Sequence, residues 1–216
     1  MITLAIPKGR ILDEVIPLLS DIGINLIDSP DLSRKLIIET SDQDLRLLIV
    51  RATDAPTYVR FGAADMGIVG SDILFETSLE GLYQPVDLNI GLCRLSLAIP
   101  KGLDFDDFLN QGERLRVATK YPKQSMEFFA LKGVQVDIIK LSGSMELAPL
   151  VGLSNVIIDL VSTGQTISDN GLVELEIIKN ITSRLIVNKA SFKMKRKKVK
   201  QLIDDLSSAK QQSFDK

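Results

Sequence analysis

The sequence predicts an α/β protein whose strands form mainly parallel sheets. Short β-rich runs alternate along the chain with stretches of helical period, the order that places a helical crossover between neighbouring parallel strands. The 216 residues are 45% apolar and 25% charged, and Gly, Pro and Ser never gather into a disordered tract. Such a chain buries enough surface to fold, as one domain or as two small lobes.

Ile2 to Ile6 is the first strand, an apolar strand-like run. Ile11, Leu12, Val15, Leu18, Leu19 and Ile22 then recur at helical spacing, marking one face of a helix that Pro17 is expected to kink or shorten and Gly23 to stop. Leu45 to Val50 and Met66 to Val69 are the next strands. Asp54 and Ser71 are expected to cap the helices after them, with Gly62 ending the first. Leu115 to Ala118, Val134 to Ile139 and Val156 to Val161 continue the series, and Pro122 and Gly133 bracket a helix between the first two. Leu172 to Ile178 and Arg184 to Val187 read as consecutive strands, and Ala190 to Gln211 has the spacing of one long terminal helix. The string Leu-Ala-Ile-Pro-Lys-Gly occurs twice, at Leu4 to Gly9 and Leu97 to Gly102; without wider self-similarity, coincidence is a simpler account than duplication. A chain that crosses into a second lobe and returns fits this order. The expected division is residues 1–92 with 183–216 in one lobe and 93–182 in the other.

Histidine is absent and Cys93 is the single cysteine. A Ser/His/Asp triad, a Cys/His pair, a histidine-ligated metal centre and an intrachain disulfide are therefore impossible, leaving carboxylates, Lys, Arg, hydroxyls and backbone amides for any chemistry. Oxygen donors of that kind favour magnesium if a metal takes part. The net charge of −2 gives no general attraction to nucleic acid or anionic membranes. With no export-like leader at Met1 and no apolar run near the roughly 20 residues of a membrane span, the expectation is a cytoplasmic protein. Lys193, Lys195, Arg196, Lys197, Lys198 and Lys200 form a dense basic run, but Phe192, Met194, Val199, Leu202 and Ile203 interleave with it as in a solvated amphipathic helix. No nucleic-acid partner is expected.

Three segments are candidates for chemistry, and a fourth, Gly67-Ile-Val-Gly-Ser-Asp72, repeats the arrangement of strand, glycine and polar turn with a weak signal on spacing alone. Asp159-Leu-Val-Ser-Thr-Gly-Gln-Thr166 sets an acid near the end of a strand and then hydroxyls and a glycine in a tight turn. Backbone amides, the hydroxyls of Ser162, Thr163 and Thr166, and the positive end of a short helix could together cradle a phosphate, with Asp159 facing ribose hydroxyls or magnesium. A capped strand-to-helix turn uses the same residues, and spacing does not choose between the two. Pro7-Lys-Gly-Arg10 joins two cations to a glycine at a helix start, although solvated charges in a turn look the same. It is not a Walker loop, whose pattern the chain lacks. Arg51 and Asp54 follow a strand at the end where open α/β sheets bind ligands; Asp54 serves chiefly as a helix cap, whereas Arg51 has no obvious structural alternative and suits a pyrophosphate clamp.

Together, Leu4-Ala-Ile-Pro-Lys-Gly-Arg10, Val50-Arg-Ala-Thr-Asp54, Gly62-Ala-Ala-Asp-Met-Gly-Ile-Val-Gly70, Arg116-Val-Ala-Thr-Lys-Tyr-Pro122, Gly143-Ser-Met-Glu-Leu-Ala-Pro-Leu-Val-Gly-Leu153 and Asp159 to Thr166 resemble the ATP phosphoribosyltransferases, in order and through Arg184-Leu-Ile-Val-Asn188 into the terminal helix. The resemblance implies a two-lobed fold like that of the type II periplasmic binding proteins, with a ligand cleft between lobes. It implies transfer of the 5-phosphoribosyl group from phosphoribosyl pyrophosphate to N1 of ATP with Mg2+ present, the first step of histidine biosynthesis. By resemblance Asp159, Ser162, Thr163, Gly164, Thr166 and Glu146 hold the phosphoribosyl group, with Asp159 also the metal contact. Lys8, Gly9, Arg10, Arg51, Asp72 and Arg34 face ATP or the departing pyrophosphate, Lys8 and Arg51 being the catalytic pair. The chain resembles the short members, which have no C-terminal regulatory domain; this implies a catalytic dimer and a regulatory subunit similar to histidyl-tRNA synthetase. Asn155 departs from the pattern, which has an acid before that strand. A cytoplasmic solute-binding module of the same two-lobed build is the alternative outside enzymes, and a phosphoribosyltransferase acting on a free purine base or orotate is the alternative within them.

Overall fold

The computed structural model describes residues 1–28, 35–110 and 112–214. The chain divides into two compact units, Met1–Gly91 with Thr182–Lys216, and Leu92–Ile181. Each has its own sheet.

The first unit begins with β1 (Ile2–Pro7), α1 (Arg10–Asp21), β2 (Ile37–Glu39), β3 (Leu45–Val50), α2 (Ala55–Arg60), β4 (Met66–Gly70), α3 (Ser71–Glu76) and β5 (Leu82–Asp87). The second runs β6 (Cys93–Pro100), α4 (Phe105–Asn110), β7 (Leu115–Thr119), α5 (Pro122–Leu131), β8 (Val136–Lys140), α6 (Leu147–Leu150), β9 (Val156–Val161), α7 (Gln165–Asp169) and β10 (Leu172–Ile181). The chain then returns to the first unit as β11 (Ser183–Asn188), α8 (Lys189–Met194) and α9 (Arg196–Phe214).

Both sheets are mixed. The first has the order β2-β3-β1-β4-β11-β5, and only the central β3, β1 and β4 are mutually parallel. The second has the order β10-β6-β9-β7-β8, parallel across β9, β7 and β8. Apart from the short edge strand β2, the antiparallel share comes from β5, β6, β10 and β11, which carry the chain between units or flank that passage, a feature that strand and helix alternation does not encode. Every residue of β1 is buried, as expected for a central strand with both faces covered. Its apolar side chains pack with Val15 and Leu19 of α1 and Val199, Leu202 and Leu206 of α9.

The repeated string lies in β1 and β6, each ending in a left-handed glycine turn, Gly9 at φ 97° and Gly102 at φ 90°. The surroundings differ, since β1 is parallel to both neighbours and β6 antiparallel to both. A shared turn chemistry accounts for the similarity.

Four local expectations change. Helix α1 is not shortened at Pro17 but runs on to Asp21; the missing N–H removes one rung, and Leu18 and Leu19, buried just beyond it, keep the last turn packed. Ser71 is the first residue of α3 rather than its cap, because its hydroxyl accepts the Thr182 N–H at 3.3 Å while its own N–H donates to the Thr182 carbonyl at 2.8 Å. Asp54 occupies the cap position of α2 but makes no capping bond, its carboxylate accepting from the Thr53 hydroxyl at 3.2 Å instead. The single terminal helix is two, broken at Lys195, and Asn188 caps the first by accepting from the N–H groups of Ala190 and Ser191. The same Asn188 amide donates to the carbonyls of Val59 and Arg60, tying α8 to the end of α2.

Candidate functional site

In the first unit, the C-terminal ends of the parallel strands β3, β1 and β4 lie side by side, and the segments leaving them carry the predicted cations. Pro7 stands in register with Val50, and the Lys8 N–H donates to the Val50 carbonyl at 3.3 Å, so Lys8 and Arg51 emerge from adjacent strands at one edge. Both are exposed. Gly9, at φ 97°, makes the turn from β1 into α1 that a side chain would strain. Arg10 is also exposed but tethered, its Nη2 donating to the Gly91 carbonyl at 3.1 Å and its Nε 3.9 Å from Glu14. Glu14 in turn accepts the Gly91 N–H at 2.7 Å, so Arg10 and Glu14 hold both polar groups of Gly91.

Asp72 belongs to the same edge but is buried in the first turn of α3. Its Oδ1 lies 2.2 Å from where a Cβ on Gly70 would stand, so a glycine at 70 is what lets the carboxylate fold over the strand end. Arg34 lies outside the described residues.

In the second unit, the C-terminal ends of β9, β7 and β8 form the corresponding edge. Ser162, Thr163, Gly164, Gln165 and Thr166 leave β9 and turn into α7, with Ser162, Thr163 and Thr166 exposed. Gly164, at φ 84°, supplies the left-handed residue of the turn, and the Thr163 hydroxyl accepts the Gln165 N–H at 3.3 Å. Asp159 is half-buried on β9, opposite Ser96 of β6, and its Oδ1 accepts the Leu160 N–H at 2.8 Å. Glu146 precedes α6 on the segment that leaves β8, a segment containing Ser144 at φ 52°. The sheet order thus gathers Glu146 and the 162–166 turn at one end of three parallel strands. Among the described residues no group of three or more Asp, Glu, Cys or His side chains is placed to hold a metal.

Sequence reading missed the group beneath this turn. Arg94 of β6 forms a bidentate pair with Glu174 of β10, Nε to Oε1 at 2.5 Å and Nη2 to Oε2 at 2.6 Å. Its Nη1 donates to the Ser162 carbonyl at 2.9 Å, and the Ser96 hydroxyl donates to Glu174 Oε1 at 2.6 Å. The hydrogen bond from Arg94 holds the Glu174 carboxyl below the usual range against the opposing effect of burial, and the same bond raises Arg94 further. Asn155, the departure noted above, is accounted for by register: its side-chain oxygen accepts the Arg116 N–H at 2.8 Å while its own N–H donates to the Arg116 carbonyl at 2.9 Å, locking the start of β9 to β7. The basic run near the C-terminus is partly consumed in ion pairs, Lys195 with Asp65 and Lys198 with Asp44.

Comparison with known proteins places this geometry. The family model described as ATP phosphoribosyltransferase matches residues 51–208. An ATP phosphoribosyltransferase of Burkholderia vietnamiensis is 55% identical over 210 residues, 97% of each chain, and one of a Janthinobacterium species is 53% identical over 212 residues, covering 98% of this chain and 96% of that one. Among solved structures, the ATP phosphoribosyl transferase (HisG:HisZ) complex from Thermotoga maritima matches at TM-score 0.80 and 35% identity over 98% of this chain and 100% of that chain. The periplasmic aliphatic sulphonate binding protein SsuA from Escherichia coli matches at TM-score 0.64 over 97% of this chain and 72% of that one; at 9% identity this is a likeness of fold alone.

Proposed function

The chain belongs to the ATP phosphoribosyltransferase family, and from that premise we propose how its residues divide the work. The reaction is the first of histidine biosynthesis: N1 of the ATP adenine forms a bond to C1 of phosphoribosyl pyrophosphate as the bond from C1 to the pyrophosphate oxygen breaks. Identity of 55% along nearly the whole chain carries this reading over that of a solute-binding module, whose support is a fold likeness at 9%.

In our reading the turn at Ser162, Thr163, Gly164 and Thr166 holds the 5-phosphate, and Glu146 and Asp159 face the ribose. A left-handed glycine next to exposed hydroxyls suits an anion that must approach the backbone closely. Lys8 and Arg51, exposed at the end of β1 and β3, face the pyrophosphate, and Gly9, Arg10, Asp72 and Arg34 belong to the ATP side. The transition state resembles an oxocarbenium ion with charge building on the leaving group, so cations at fixed positions and immobilised reactants supply the acceleration. N1 already carries a lone pair, which removes the need for a histidine base.

The family works with a divalent metal, and we propose magnesium. A half-buried carboxylate, Asp159, with no cluster of three or more acids among the described residues, fits an ion held mainly by substrate oxygens rather than by a protein cage. Bound there, magnesium would neutralise charge on the pyrophosphate. The Thermotoga structure is a complex of HisG with HisZ, and a regulatory subunit of that kind, with a catalytic dimer, is proposed here too. No helix among the described residues is long and apolar enough to cross a membrane, and a cytoplasmic location is proposed.

Incubating the purified chain with ATP, phosphoribosyl pyrophosphate and magnesium, with and without the HisZ-like subunit, tests the reading. Phosphoribosyl-ATP formation is expected. Ligand binding without turnover in both arms would instead favour the solute-binding module.

A further inference from the structure

The turn that we assign to the 5-phosphate is held from beneath by a charged group to which no role has been given. We propose that Arg94 is a positioning residue for phosphoribosyl pyrophosphate, acting through the Ser162–Thr163 peptide and never touching the substrate itself. The inference rests on the assignment of the 162–166 turn to the phosphoribosyl group.

Arg94 is fixed before it reaches the turn. Two of its nitrogens are taken by the two oxygens of Glu174, and Glu174 is held in its own place by the Ser96 hydroxyl, a fully buried group. A guanidinium is a rigid planar fork, so fixing Nε and Nη2 also fixes the direction in which Nη1 points. Nη1 points at the carbonyl oxygen of Ser162, 2.9 Å away. The charge of Arg94 is meanwhile balanced by Glu174, which makes it a strut more than an anion ligand.

Peptide planarity converts this contact into an effect on the site. The described chain has no cis peptide bond, so the Ser162 carbonyl and the Thr163 N–H lie in one plane and point in opposite directions. Capturing the carbonyl on the Arg94 side therefore aims the Thr163 N–H to the other side. It also turns away a carbonyl dipole that would repel a phosphate. Gly164 lies next to the strut: a Cβ there would stand in ordinary contact at 4.0 Å from Arg94 Nη2 and 3.8 Å from Val161 Cγ1, so the constraint at this position is its φ of 84° and not space.

The full chain, assayed with its HisZ-like subunit, decides the matter. Arg94→Gln removes the strut's charge, and Arg94→Lys keeps a charge for Glu174 but cannot span Glu174 and the Ser162 carbonyl as a fork does. Phosphoribosyl pyrophosphate affinity by titration calorimetry, and KM for each substrate, are measured alongside Thr163→Ala. The expected result is a roughly 10- to 100-fold loss of phosphoribosyl pyrophosphate affinity in Arg94→Gln, the order carried by one charge-assisted hydrogen bond, a smaller loss in Arg94→Lys, and an ATP KM that stays put. If Arg94→Gln does not fold, Arg94→Lys carries the test alone. Folded Arg94 variants with native affinity, beside a Thr163→Ala that loses it, would overturn the strut and leave the site reading standing. Equal losses for both substrates with a fall in Tm would reduce Arg94 to a structural role. A Thr163→Ala chain that binds normally would remove the site reading and this inference with it.

Discussion

The ammonium of Lys195 lies 2.9 Å from both carboxylate oxygens of Asp65, joining the break between the last two helices to the residue before β4. Lys195 also donates to the Met1 carbonyl at 2.9 Å, and Asp65 accepts the Thr3 N–H at 2.9 Å. The start of β1, the entry to β4 and the C-terminal helices of the first unit therefore meet at one ion pair. Asp65 is almost wholly buried, with 7% of its side chain accessible.

Removing the cation leaves that carboxylate buried with fewer partners. Lys195→Met should destabilise the chain by about 1.5–3 kcal/mol, the worth of a hydrogen bond to a charged group, while the Thr3 N–H and Ser191 still serve the carboxylate. The measurement is denaturant unfolding. The kinetic constants of the native fraction should be unaffected, since the pair lies outside the residues assigned to substrates.

Acid should loosen the fold through two carboxylates. Burial pushes Asp65 up, but the hydrogen bonds from Lys195, Ser191 and the Thr3 N–H outweigh it and leave the group below its ordinary 3.8. Glu174 lies below its ordinary 4.5, chiefly through Arg94. A depressed folded value means that the unfolded chain takes up the proton first, so the stabilisation is fully present above these ordinary values and is lost as pH falls through the lower folded ones. Tm should be level above pH 4.5 with respect to these two groups and decline below it. Lys195→Met should flatten the part of that decline owed to Asp65.

Arg51→Ala should lower kcat by roughly 100- to 1,000-fold, the range for removing one preorganised charge-stabilising donor, with KM for both substrates nearly constant. That pattern marks an interaction made mainly in the transition state. A raised KM at native kcat would make Arg51 a binding residue.

Much of this was legible in the chain itself. Ile2 to Ile6, Leu45 to Val50 and Val156 to Val161 are short, mainly apolar runs rich in β-branched residues and Leu, and they appear within a residue of where the pattern puts them. The 162–166 turn was visible because hydroxyls and a glycine follow such a strand directly. What escaped was long-range. Arg94 and Glu174 are 80 positions apart, and nothing local in Cys93-Arg94 or Val173-Glu174 says that two β-strands will bring them together. The break at Lys195 escaped for a related reason: apolar spacing continues through it from Phe192 to Val199, and the side chain's partner, Asp65, is 130 residues away. Ser71 reads as a cap by type, and only the returning chain at Thr182 reveals where its hydroxyl goes.

The assignment of the 5-phosphate to the turn after β9 is the claim on which most else depends, and one titration tests it. Thr163→Ala with Gly164→Ala removes a hydroxyl and places a side chain at φ 84°, a left-handed conformation costing about 1–2 kcal/mol, while leaving the buried core untouched. Calorimetric titration of phosphoribosyl pyrophosphate into the folded double variant should show affinity reduced far beyond what that small strain explains. Native affinity in the same titration would contradict the account and move the sugar site elsewhere.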